Sequence, residues 1–361
     1  MNTNKNPYSR IYICHTFYHV YIATLKELAL GEGRFNEATI LLSTMSNDFG
    51  DLKERLLASN IFYDVMIFEE KHREEFRELD FFNKSYNNIV VNMFHRIRFT
   101  KLLGELQKPF VPVNFKNYDN IYVFCDSDPI GYYLNRYRIR YHALEDGLNC
   151  IKNFDTARYD NRGFFKLKVF MSSINMIFIQ NGYGKYCLDM EVNNISDLKY
   201  PCKKYIEVPR SNLVTRLSEN EKQLLINIFI KDIDKLSNLL NNINKNQESV
   251  IILTEPLCSL DVRVTIFKDI IKQYGENKIV ILKQHPRDLL DYSVDFSNYI
   301  LIDKDIPMEV LNFFGENRFD SVISVFTEVE AIKFAKHKIK LGESFLDSYE
   351  DPKLHRQNDY I

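Results

Sequence analysis

The sequence predicts an α/β protein built from two Rossmann-like lobes, each a parallel sheet covered by helices. Three observations carry that prediction. Short β-branched runs alternate with stretches of helical period in both halves of the chain, the pattern of parallel strands joined by crossover helices. The chain has 361 residues, too many for one small core and enough for two of ordinary size. A weakly periodic stretch from Tyr200 to Arg210, holding Pro201 and Pro209, separates the halves. The expected domains are therefore 1–206 and 207–345, with a polar tail over 346–361.

In the first half, residues 10–15, 38–44, 62–69, 120–125 and 140–144 are apolar runs of strand length. Residues 17–30, 48–59, 94–107 and 130–137 repeat their apolar positions every three or four residues and are expected to be helices. In the second half, Ser218 and Glu221 fit a capping box that opens a helix running toward Leu240. Strands follow at 249–254, 278–284, 299–302, 320–324 and 338–341, with helices at 262–274, 308–317 and 328–336 between them. The segment from Phe164 to Ile179 is apolar but carries two lysines, two serines and an asparagine, too short and broken to span a bilayer. It reads first as a packed helix and second as a helix lying on a membrane surface.

Lys plus Arg (47) nearly balances Asp plus Glu (49), so no global field marks a nucleic-acid binder. The cysteines at 14, 125, 150, 187, 202 and 258 form no C-x-x-C pair, which suggests reduced thiols and a cytoplasmic location. The first residues hold no apolar signal core.

Candidate chemistry sits at strand ends. The run at 278–282 leads into Lys283-Gln284-His285-Pro286. The proline stops the strand, so the imidazole is held where open α/β sheets bind ligands, and Lys283 and Arg287 add positive charge. A lone histidine at a strand end is more often a packed or capping residue. The strand at 140–144 ends in Glu145-Asp146-Gly147; adjacent acids in a cleft raise one another's pKa and make a usable base, although such a trio is also a common turn. Glu309, after Ile306-Pro307, opens a helix pattern, where acids are favoured on dipole grounds and where a carboxylate can also take both hydroxyls of a ribose. Ser324 and Thr327 mark a strand-to-helix junction whose N–H groups could cradle phosphate, with Thr327 as a plain N-cap the simpler reading. His15 and Thr16, after Cys14, close the first strand. Asp126-Ser127-Asp128 spells D-x-D and keeps a metal-dependent enzyme in view.

On Glu145-Asp146-Gly147, His285-Pro286, Glu309 within 306–311, and Ser324 to Thr327, the chain resembles bacterial sialyltransferases, most closely glycosyltransferase family 52, the lipooligosaccharide and capsule sialyltransferases. The resemblance implies a GT-B-like fold and an inverting, metal-independent enzyme. Its donor would be CMP-sialic acid, with no other cofactor, and its acceptor a glycan hydroxyl. In that reading Glu145 or Asp146 deprotonates the acceptor, with Glu255 or Asp261 as the alternative base in the second lobe and Asp261 ranked next. His285 assists departure of CMP. Lys283, His285, Pro286, Glu309, Ser324 and Thr327 bind the nucleotide, and His15 and Thr16 line the acceptor side. Residues 1–206 would then be the acceptor domain and 207–345 the nucleotide-sugar domain. A homodimer and peripheral contact with the inner face of the cell membrane accompany the reading. Two competitors remain: a GT-B enzyme using a UDP- or GDP-sugar, and a non-catalytic nucleotide-binding scaffold.

Overall fold

A computed structural model describes residues 8–124, 126, 129–147, 151, 156–241 and 247–352. The chain divides into two compact units, Met1–Glu221 and Lys222–Ile361.

The first unit is a seven-stranded sheet in the order β3-β2-β1-β4-β5-β6-β7. Its strands are β1 (Arg10–Cys14), β2 (Ala38–Ser43), β3 (Asp64–Phe68), β4 (Asn120–Phe124), β5 (Tyr141–Leu144), β6 (Cys187–Val192) and β7 (Tyr205–Glu207), and every pairing is parallel. β1 and β2 are buried along their whole length, as a sheet covered on both faces requires. Four helices follow strands or precede them: α1 (Phe17–Ala29), α2 (Leu52–Ala58), α3 (Ile89–Leu106) and α4 (Pro129–Arg136). At the amino end of the sheet, buried Arg10 donates to Glu27 at 2.7 and 2.9 Å, and the Tyr12 hydroxyl adds a third bond at 2.7 Å. This pairing ties α1 to β1, and removing one partner would strand a buried charge.

The second unit is a five-stranded parallel sheet in the order β10-β9-β8-β11-β12. Its strands are β8 (Ser249–Leu253), β9 (Ile279–Lys283), β10 (Ile300–Ile302), β11 (Phe319–Ser324) and β12 (Ala335–Lys340). The helix Leu260–Tyr274 buries Ile266, Phe267, Ile270 and Ile271 against this sheet's core, about 1.5–3 kcal/mol for each large side chain.

Several sequence expectations change. β6 escapes sequence reading because its face is interrupted by Asp189 and Glu191. These carboxylates pair with His142 at 2.9 Å and Lys26 at 2.6 Å, partners remote in sequence. The stretch read as a linker thus supplies β7, and the first unit runs past residue 206 to Glu221. The helix expected toward Leu240 is two helices, Glu219–Phe229 and Ile233–Asn241, and the capping box at Ser218 and Glu221 is formed. The helix expected over 308–317 is a 3-10 helix, Met308–Phe314, ended by Gly315 at φ 123°, where a side chain would be strained. The helix expected over 328–336 does not form. The carbonyls of Lys333 and Phe334 accept from Asn317 and Phe319 at 2.8 Å, so this backbone is already paired with β11 before β12 begins.

Cys14 and Cys187 are buried free thiols, pushed up by burial and so poorly nucleophilic. Cys125 and Cys150 lie outside the described residues, as does most of the tail. No helix among the described residues is long and apolar enough to cross a membrane.

Candidate functional site

In each unit the strand order reverses once, and the crevice at that reversal, beyond the carboxyl ends of the strands, is where open α/β sheets take ligands. The first unit reverses between β1 and β4 and the second between β8 and β11.

At the first reversal two histidine–carboxylate pairs lie side by side. His15, just past β1, meets Glu70, just past β3, with Nε2 to Oε2 at 2.8 Å. Glu70 also accepts from the Ser43 hydroxyl at 2.8 Å and from the Ile130 N–H at 2.7 Å, so it joins the ends of β1, β2 and α4. Thr16 caps α1, its hydroxyl accepting from the His19 N–H. One turn into α1, His19 accepts from the His15 N–H at Nδ1, at 3.0 Å. Its Nε2 therefore carries the hydrogen and donates to the Asp146 carboxylate. The His19 ring stacks on Phe124 with centroids 4.4 Å apart and stands edge-on to His15 at 5.9 Å. His19 is buried, whereas Asp146 keeps part of its carboxylate in solvent. The dyad thus presents an oriented carboxylate oxygen.

Glu145 plays a different part. It is 2 % exposed, its Oε2 accepts from the Asn193 N–H at 2.7 Å, and its carbonyl accepts from Arg210 at 3.1 Å. Burial raises its pKa against the pull of the Asn193 N–H and of Arg210. Asp126 is equally committed: its buried carboxylate accepts from Asn181 N–H at 2.6 Å and the Tyr141 hydroxyl at 3.0 Å. Gly131 lets α4 start against it, since any Cβ there would overlap the Asp126 carbonyl oxygen. Ser127 and Asp128 of the D-x-D lie outside the described residues. Among the described residues no three His, Cys, Asp or Glu side chains are grouped to hold a metal ion.

The second unit places His285 immediately after β9. Its N–H donates to Thr254 Oγ1 at 2.9 Å, tying the ends of β8 and β9. Its Nδ1 accepts from the Arg287 N–H at 3.1 Å, which leaves Nε2 as the protonated nitrogen of the neutral ring. Burial, then Arg287 and Lys283, pull this imidazole down to about 4, so at neutral pH it is a hydrogen-bond donor and not an imidazolium. Asp288 holds the turn closed. It takes Arg263 at 2.5 Å and the Tyr292 hydroxyl at 2.8 Å, while Arg263 also donates to the carbonyls of Leu257 and Cys258. One guanidinium thereby fixes the loops after β8 and β9 together. Asp261 stands exposed in the first turn of the same helix.

Lys283 is buried, pulled down to about 8 by that burial, and donates to the carbonyls of Gln284 and Asp303 at 2.6 and 2.9 Å. Its role in this geometry is to hold the strand tip and supply positive potential. Pro286 is exposed, and Glu309 is half-buried and raised by its surroundings, with Lys283 pulling it the other way.

The expected phosphate cradle at Ser324 and Thr327 is corrected. No helix starts there, and the N–H groups of Phe326 and Thr327 already donate to Glu255, at 2.8 and 2.5 Å. The Ser324 hydroxyl donates to the Thr327 carbonyl at 2.7 Å. Glu255, 4 % exposed and raised by burial, thus bridges the two strand ends that flank the reversal. Sequence reading passed over His19 and Glu70. The four-residue spacing of His15 and His19 across a helix cap was the available signal for the first; nothing local marks the second.

A family model described as Glycosyltransferase family 52 matches residues 64–343. An uncharacterized protein of Haemophilus influenzae is 30% identical over 151 residues, 40% of this chain and 46% of that protein, so the match spans under half of that relative's length. Among solved structures, the α/β-galactoside α-2,3-sialyltransferase of Photobacterium phosphoreum superposes with a TM-score of 0.52 at 12% identity, over 93% of this chain and 91% of that one. A sialyltransferase from Photobacterium damselae gives 0.48 at 12% identity, over 90% and 89%. At such identity the first likeness speaks to fold, and the fold is the GT-B class of two parallel α/β units.

Proposed function

The chain belongs to glycosyltransferase family 52, and on that premise we propose that it transfers sialic acid from CMP-sialic acid to a hydroxyl of a cell-surface glycan, lipooligosaccharide or capsule, with inversion and without a metal. The observation that carries the reading is His285 at the tip of β9, held by Thr254 and Arg287 with Nε2–H left to donate. CMP leaves as a phosphate monoester, and an anion of that kind needs a positioned donor and positive potential more than a full proton. His285 supplies the donor and Lys283 the potential, with Glu309 on the ribose.

In the transfer a carboxylate takes the acceptor O–H proton as the oxygen attacks the anomeric carbon. The bond from that carbon to the phosphate oxygen breaks, and CMP departs with the electron pair. Asp146, oriented by His19, is the first candidate for that base. Glu145 is the less accessible neighbour and Asp261 the alternative. His15 and Thr16 shape the acceptor side. A cytoplasmic enzyme, acting as a homodimer, goes with this reading.

The test is a thermal-shift panel of CMP, UDP and GDP. At a hundred times its Kd, CMP is expected to stabilise the protein by about 2.7 kcal/mol. Stabilisation by UDP or GDP with none by CMP would replace the donor.

A further inference from the structure

The helix Phe165–Ser173 turns its Phe165, Val169 and Met171 inward, packed with Met93 and Ile97 of α3. Its other face stays uncovered: Phe164, Leu167, Phe170 and Ile174 are 62, 49, 60 and 45 % exposed. Spacings of three, three and four residues put these four on one side of the helix. The first half of α3 adds Ile89, Val90 and Phe94, each more than half exposed. Scattered apolar residues are ordinary on a surface, but seven large exposed ones on two helices that pack together mark a contact face.

The two stretches that build this face carry only positive charge. No Asp or Glu occurs between Asp80 and Glu105 or between Asp160 and Asp189, although the whole chain is nearly balanced. Those two stretches instead carry Arg96, Arg98, Lys101, Lys166, Lys168 and Lys185. Ile174, at the end of the stripe, lines a pocket of about 330 Å³ whose other walls include Lys101, Arg136, Arg138 and Lys185. Lys101 is fixed there by donating to the Asn175 carbonyl at 2.5 Å. Glu105, paired with Arg136, is the one carboxylate shown in an ion pair with these cations among the described residues. Burial, followed by Arg136 and Arg138, lowers the Lys101 pKa, the effect expected where cations crowd.

We propose that this face docks on an anionic lipid bilayer, its aromatic and aliphatic stripe entering the headgroup boundary while the cationic pocket receives headgroup phosphates. A second copy of the chain fits poorly, since face-to-face pairing would bring two positive surfaces together. A soluble polyanion would leave the aromatic stripe in water. Aromatic side chains beside lysines and arginines on a helix that does not span the bilayer is the chemistry of interfacial attachment. The helix packs in the first unit, as the sequence leads one to expect, and leaves Phe164 and Phe170 on its exposed side.

The full chain is sedimented with vesicles of phosphatidylcholine alone and of phosphatidylcholine mixed with phosphatidylglycerol. Partition is expected to favour the anionic vesicles and to weaken as salt rises. Each basic residue near such a surface contributes roughly five-fold, so Arg138→Gln with Lys185→Gln should lower partition by roughly 25-fold. Leu167→Ser with Phe170→Ser should lower it on both vesicle types. Both double variants should keep the parent's circular dichroism and its CMP-induced thermal shift, which separates a failure here from a failure of the proposed reaction. Equal partition to both vesicle types, or variants that bind as the parent does, would overturn the proposal. So would a thermal shift with inorganic phosphate unaccompanied by vesicle binding, or a dimer that the Leu167 and Phe170 changes dissolve.

Discussion

Replacing His285 by Gln separates two ways of assisting a leaving phosphate. The imidazole is pulled down to about 4. At pH 7 the free enzyme therefore holds it protonated in roughly one molecule in a thousand, a cost of about 4 kcal/mol for any route that needs imidazolium. The Arg287 N–H occupies Nδ1 and leaves a neutral Nε2–H to donate. A bond of that kind to a charged oxygen is worth about 1.5–3 kcal/mol, so His285→Ala should lose roughly ten- to 150-fold in kcat/KM. Gln carries an N–H donor and no titrating proton, and should stay within about ten-fold of the parent. The assay is kcat/KM for release of CMP from the sugar donor across pH 4–8, because that ratio reports the free enzyme. The sign follows from the lowered pKa: His285 stays neutral as pH falls through 6.5, and any acid limb belonging to it lies near 4 and disappears in the Gln variant. A limb near 6.5, together with equal losses of two to four decades in both variants, would refute the argument and restore a general acid.

Three further outcomes follow from the same geometry. Glu255→Ala leaves the Phe326 and Thr327 N–H groups without their carboxylate, and should cost about 3 kcal/mol and lower the thermal midpoint by on the order of 10 °C, with Glu255→Gln losing less than half as much. An unchanged midpoint would mean that water replaces the bridge freely. Asp146→Asn should cut kcat by two to four decades with little change in KM, whereas Asp261→Asn should cost under ten-fold; the reverse ranking moves the base to the second unit. His19→Asn, which removes the ring that orients Asp146, should produce a smaller loss with a shifted acid limb in the pH profile, since the base must be deprotonated to act.

What the sequence discloses is local. The strands β1, β2, β8 and β9 could be read because burial on both faces demands uninterrupted apolar runs. His285 could be placed because Pro286 must end the strand beside it. β6 was hidden because Asp189 and Glu191 resemble loop residues until their partners His142 and Lys26 are known. The stretch 328–336 mimics a helix because Val329 and Ile332 are spaced by three and both buried, yet its carbonyls pair with the start of β11. Ser324 and Thr327 were legible as residues of interest, but not the fact that Glu255, some seventy positions upstream, occupies the N–H groups between them. Glu70 shows the same limit, since its meaning lies in contacts to His15, Ser43 and Ile130.

Sialyl transfer itself can be followed on the purified protein. Purified chain is incubated with CMP-sialic acid and a lipooligosaccharide or capsule glycan acceptor, in the presence of a chelator, and the acceptor is weighed by mass spectrometry alongside assay of free CMP. The acceptor is expected to gain one sialyl residue with equimolar CMP released, and both yields to fall together in the His285→Ala variant. An unmodified acceptor from that donor, with transfer from a UDP- or GDP-sugar under the same conditions, would contradict the proposed reaction.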